Sequence, residues 1–128
     1  MSRRLFQNVL VAGVVAIALC SVTQDALADC DTTICVGKIT RLYTQSSGAV
    51  VSPVRGAVFV GTDGDETHLA CVPQGSGAER YIVLFPNQKL FKEIYASLLA
   101  GITHDLTMRV RIDPDPTVCK VAYVTIDR

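Results

Sequence analysis

Four cysteines, Cys30, Cys35, Cys71 and Cys119, constrain this chain more than any other feature of its 128 residues. A fifth, Cys20, falls in an N-terminal segment that reads as removable, which leaves an even set. That segment carries Arg3 and Arg4, then the apolar run Val9 to Leu19 broken only by Gly13, then Ala26-Leu27-Ala28. Charge, apolar stretch and A-x-A triplet in this order are the parts of a secretory signal. Residues 1–28 are therefore expected to be a signal peptide and residues 29–128 a single exported domain, secreted or periplasmic. The apolar run is about a dozen residues where a membrane-spanning helix needs about twenty, so no membrane span is expected. Lipid attachment at Cys20 would want a small residue before it, and Leu19 is not small.

An even number of cysteines in an oxidising compartment reads as disulfides. Four cysteines allow three pairings, and all three stay open on sequence grounds. The preferred one joins Cys30 to Cys35 and Cys71 to Cys119. In the chain-entropy account the short loop contributes about 2 kcal/mol and the long one about 4 kcal/mol. A redox or zinc role is the alternative. The spacing Cys30-x4-Cys35 is not the redox Cys-x2-Cys, and the chain has only 2 histidines.

With Arg3, Arg4 and Asp25 set aside, the 12 basic and 12 acidic residues fall to ten and eleven. No basic stripe is left to neutralise phosphates, so nucleic acid is not an expected partner. A domain of this size buries roughly 60–70% of the surface its unfolded chain exposes, and covalent staples offset that thin margin.

Gly37 to Thr44 is rich in β-branched and aromatic residues and runs into Ser46-Ser47-Gly48, the pattern of a strand and a turn. Ala57 to Val60, set off by Pro53 and Gly56, gives a second strand. Asp63-Gly64 then predicts a hairpin into Thr67 to Val72. After the break Pro73 to Gly77, the run Tyr81 to Phe85 is another extended segment. Leu90, Phe91, Ile94, Tyr95, Leu98 and Leu99 fall on one helical stripe, with Asn87 expected to cap its start and Gly101 its end. Leu106, Met108, Val110 and Ile112 alternate with Asp105, Thr107, Arg109 and Arg111, which marks a strand with one dry and one wet face. Asp113-Pro114-Asp115-Pro116 ends it, and Val118 to Ile126 is a last strand.

This order predicts a mainly β fold, a five-stranded antiparallel OB-fold-like barrel with one helix between strands 3 and 4. The stretches Leu90 to Ala100, Thr107 to Ile112 and Cys119 to Val124 resemble a group of small secreted bacterial OB-fold proteins, similar in architecture to the B subunits of AB-type toxins. The resemblance covers about half of residues 29–128 and contains no catalytic motif. It implies the barrel, and through the sugar-binding pentamers it admits glycan binding and a homo-oligomer. It carries over no sugar-binding residue.

Each candidate constellation has a plain structural alternative. Asp63-Gly64-Asp65-Glu66 begins like a calcium loop but lacks the later ligands, so a solvated hairpin tip is expected. His68 and His104 read as surface or edge histidines. Gly75-Ser76-Gly77 is the one candidate nucleophile turn and lacks the strand-to-helix setting of an elbow. Asp113 and Asp115 sit in a Pro-rich turn, the wrong place for a glycosidase carboxylate pair. No enzyme, cofactor or metal is therefore expected. Thr107, Arg109 and Arg111 remain as a ligand face, because guanidinium donors beside a hydroxyl suit carboxylate or sugar recognition. The expected function is a non-catalytic exported binding module for a glycan or a partner protein. The alternative is a structural or inhibitor-like envelope protein that binds another exported protein.

Overall fold

The computed structural model describes residues 28–46, 56–75, 77–113 and 115–127. The expected signal segment up to residue 27, together with Ser47, Gly48, Pro53, Ser76 and Pro114, lies outside them.

A two-residue strand, β1 (Asp29–Cys30), pairs with the start of a long one, β2 (Ile34–Gln45), and the Cys30–Cys35 disulfide joins directly opposed residues. β2 has 12 residues, and its two halves pair with different partners. Ile34 to Lys38 pairs with β5 (Thr107–Asp113), and Ile39 to Gln45 pairs with β3 (Ala57–Thr62). β3 pairs antiparallel with β4 (Ile82–Leu84), and β6 (Lys120–Ile126) lies between β4 and β5. The order β2-β3-β4-β6-β5, closed by β5 on β2, makes a five-stranded barrel.

The barrel is mixed, a correction to the antiparallel expectation. β4 runs parallel to β6, with Val83 opposite Lys120. An odd number of strands cannot close into a ring with every neighbour antiparallel, so one parallel pair is unavoidable. It falls where the chain leaves the sheet for the helix α1 (Phe91–Thr103), between the third and fourth barrel strands.

The interior is filled by Val58, Val60, Ile82, Leu84, Met108, Val110, Ile112 and Val121, with Ile94 and Leu98 of α1 packed onto it. β3 and β4 also bury their outer faces: Ala57, Phe59, Tyr81, Val83 and Phe85 form a second apolar cluster with Val118 against it. This two-sided burial explains why these strands read as continuous apolar runs. The Cys71–Cys119 disulfide closes the remaining long loop, so the preferred pairing of all four cysteines holds.

Three local expectations are corrected. Thr67 to Val72 is no hairpin strand: Glu66–His68 form a short 3-10 turn. Asp65 accepts from the Thr67 N–H at 3.0 Å and its hydroxyl at 2.6 Å, and Glu66 accepts from the Thr62 N–H and hydroxyl, both at 2.7 Å. Those side chains compete with a ladder and win. Asn87 does not cap α1. Gln88 organises the entry, accepting from the Phe85 N–H at 2.8 Å and donating to the Val121 carbonyl at 2.6 Å, while Leu90 takes a left-handed φ of 64° ahead of the first turn. Gly101 does not end α1 but is buried inside it, and the left-handed residue after the helix is Asp105, φ 52°.

Candidate functional site

The alternation read on β5 places Met108, Val110 and Ile112 in the barrel interior and Thr107, Arg109 and Arg111 on the outer face. Cross-strand pairing adds neighbours that the sequence did not identify. Arg109 stands opposite Thr125 and Arg111 opposite Tyr123 on β6, and Thr107 opposite Lys38 on β2. Tyr123 is 51% exposed. A bulge at Ala122 sets the phase of β6, so that Val121 and Val124 pack on the core while Tyr123 and Thr125 point outward beside the arginines. Arg109 donates to Asp127 at 3.2 Å, and Lys38 to Asp105 at 2.6 Å. Arg111 has Asp31 within electrostatic reach. The Asp31 carboxyl sits below its usual range chiefly because it accepts hydrogen bonds from Thr32, with Arg111 a smaller contribution. The predicted residues thus share one exposed face that holds cations, hydroxyls and an aromatic ring.

A second arrangement, missed in the sequence, lies across β2, β3 and the segment leading into β4. Pairing of β2 with β3 shifts register between Ile39 and Arg41. Thr40 is the extra residue of this bulge, so Thr40 and Arg41 are both exposed in succession. Arg41 Nη1 donates to Glu79 Oε1 at 2.5 Å and to the Tyr81 hydroxyl at 2.7 Å, and that hydroxyl donates to Glu79 Oε2 at 3.0 Å. Hydrogen bonds from Arg41 and Tyr81 hold the Glu79 carboxyl below its usual range, and the same contacts raise the Arg41 guanidinium. The Arg41 guanidinium carbon lies 6.0 Å from the Tyr81 ring centroid, and Tyr43 stacks on Phe59 at 4.8 Å close by. Beside this network is a recess of about 220 Å³ lined by Thr40, Arg41, Gly61, Glu66, Glu79 and Tyr81, among others. Glu66 is only 6% exposed.

The remaining candidates have internal roles. Asp63 accepts from the Lys38 N–H at 2.7 Å, while Asp65 and Glu66 serve Thr67 and Thr62, so the acidic run is spent on hydrogen bonds to three separate residues. His68 is on the 3-10 turn, 3.8 Å from Asp65 and 4.0 Å from Asp29, and His104 caps the end of α1. Asp113 pairs with Lys120 at 2.8 Å. Asp115 accepts from the Thr117 hydroxyl and N–H, which lowers its pKa. A wider hollow of about 560 Å³ lies over Gln88, Asp113 and Lys120, whose polar groups are already paired. Among the described residues no group of three or more metal-ligating side chains occurs, and no helix is long and apolar enough to cross a membrane. In comparisons with known proteins, no family model, curated protein or solved structure matches the chain.

Proposed function

We propose that this chain is an exported, non-catalytic binding module that engages a glycan or a partner protein through the outer surface of its barrel. The observation that carries the reading is the shared face of Thr107, Arg109 and Arg111 with the exposed Tyr123. Guanidinium donors beside hydroxyls and an aromatic ring suit hydroxyl- and carboxylate-rich ligands. They also resemble the composition of protein interfaces, where Arg and Tyr are enriched.

The helix position and the closure of β5 on β2 support assigning the barrel to the OB-fold, whose surfaces bind oligosaccharides and oligonucleotides. The near-zero net charge favours the first of these. Export is supported by the two disulfides. Association with a second copy belongs to the same reading: Leu90, just ahead of α1, and Leu99 of α1 are 57% and 46% exposed. Light scattering over a concentration series tests it, and a mass fixed at one chain would remove it.

The test of function is a glycan array combined with a pull-down from cell-envelope extract, both with residues 29–128. The reading expects specific retention in one of them. A stable complex with one envelope protein and no sugar binding would favour the inhibitor-like alternative, and silence in both would contradict the proposal.

A further inference from the structure

We infer that the recess beside Arg41, Glu79 and Tyr81 is a second ligand site, shaped for one neutral, polyhydroxylated ring such as a single sugar residue. It is built on different strands from the β5–β6 face and does not rest on that reading.

Size is the first argument. Sites for drug-sized ligands run about 300–1,000 Å³, so a recess of about 220 Å³ fits one ring and not an extended chain.

Pre-organisation is the second. Arg41, Glu79 and Tyr81 brace one another through three hydrogen bonds, which lowers the rotamer freedom lost on binding. The bracing uses only Nη1 of Arg41. The Nε and Nη2 donors bond to no described residue. Glu66, also in the lining, takes both Thr62 donors on Oε1, and its Oε2 accepts from no described residue. Donors and acceptors therefore line one small space. A sugar hydroxyl, which both donates and accepts, satisfies both kinds.

Charge is the third. Among the lining residues Arg41 and Arg80 oppose Glu66 and Glu79, two of each sign. The lining is balanced in sign, so it offers a ligand of either charge no net attraction.

Gly61 is the fourth. It lies inside β3, opposite Arg41, without a positive φ. A Cβ there would stand 3.5 Å from Arg41 Cβ, 3.6 Å from Thr40 Oγ1 and 3.6 Å from Tyr81 Cδ1, ordinary contact distances. The fold does not demand glycine here, and glycine weakens a strand interior. A glycine in such a place accompanies a bulge or leaves the backbone open to close approach, and here the bulge at Thr40 and the open backbone meet at the recess.

Titration of isotopically labelled residues 29–128 with methyl glycosides of glucose, galactose, mannose and N-acetylglucosamine, followed by amide chemical shifts, tests the inference. At least one neutral glycoside is expected to give saturable shifts at Gly61, Thr62, Gly64 and Arg80. Gly61→Val, which fills the recess, is expected to weaken that binding at least about tenfold. Tyr81→Phe keeps the ring, removes the bracing hydroxyl, and is expected to weaken it as well, so a folding failure of one variant leaves the other to decide. Glucuronate and glucosamine are expected to bind more weakly than the neutral ring. No saturable shift with any glycoside, tighter binding of a charged sugar, or undiminished binding by both variants would overturn the inference. Shifts confined to Thr107, Arg109 and Tyr123 would also overturn it while supporting the β5–β6 face.

Discussion

Gly101 of α1 lies directly against Met108 of β5, so closely that a Cβ on the glycine would overlap the methionine sulfur. The contact sets how near the helix sits to the barrel. Gly101→Ala gains about 1 kcal/mol of helix propensity but overpacks a fully buried site, which costs about 1–3 kcal/mol. We expect net destabilisation in denaturant unfolding, and we expect it to disappear in a Met108→Val background. A stabilised single variant would show that the helix can move outward freely.

Glu66 is a buried carboxylate with a structural task, because it accepts both the N–H and the hydroxyl of Thr62 where β3 ends. Glu66→Ala leaves those donors without their acceptor and is expected to cost about 1–3 kcal/mol in the same assay. Glu66→Gln keeps an acceptor oxygen and should cost less.

The Arg41–Glu79–Tyr81 network links stability to acid. Hydrogen bonds from Arg41, then Tyr81, hold the Glu79 pKa below its ordinary 4.5. A lowered carboxylate contributes stability that is fully present above the unfolded-state value and is lost as pH falls through the folded-state value. The group is exposed, so the contribution is small and salt-sensitive. Melting temperatures of the wild type and Glu79→Gln should therefore differ most above pH 4.5 and converge below it. A difference unchanged across that range would remove the link.

Both disulfides should be complete after export, so thiol titration of denatured, unreduced protein should find none free. Cys71→Ser with Cys119→Ser opens a link spanning 48 residues and should cost about 4 kcal/mol, more than loss of the Cys30–Cys35 link.

What could be read from the sequence was periodic. The alternation from Leu106 to Ile112 located β5 and its wet face, and the stripe through Ile94 and Leu98 located α1, because each pattern is set by the chain's own geometry. The parallel β4–β6 pair depends on barrel closure, which no local pattern encodes. The Thr67 to Val72 segment was misread because Asp65 and Glu66 hold it through side-chain bonds that are invisible to strand propensity. The recess was hidden for a different reason: it needs a bulge at Thr40 and brings together Arg41, Glu66 and Glu79 from three separate stretches. Gly61, directly after the apolar run Ala57 to Val60, was the signal that could have pointed to a bulge or open backbone there.

The proposal that the barrel binds through its β5–β6 face is tested most directly by reading the glycan array and the envelope pull-down twice, with the wild type and with Arg109→Ala, Arg111→Ala. Both arginines are on an exposed strand face, so the double variant should keep its fold, checked by circular dichroism. Loss of charge-assisted hydrogen bonds of about 1.5–3 kcal/mol corresponds to roughly ten- to hundredfold weaker binding, enough to abolish retention of whatever the wild type captures. Retention of the same ligand with undiminished affinity by the folded double variant would contradict the account.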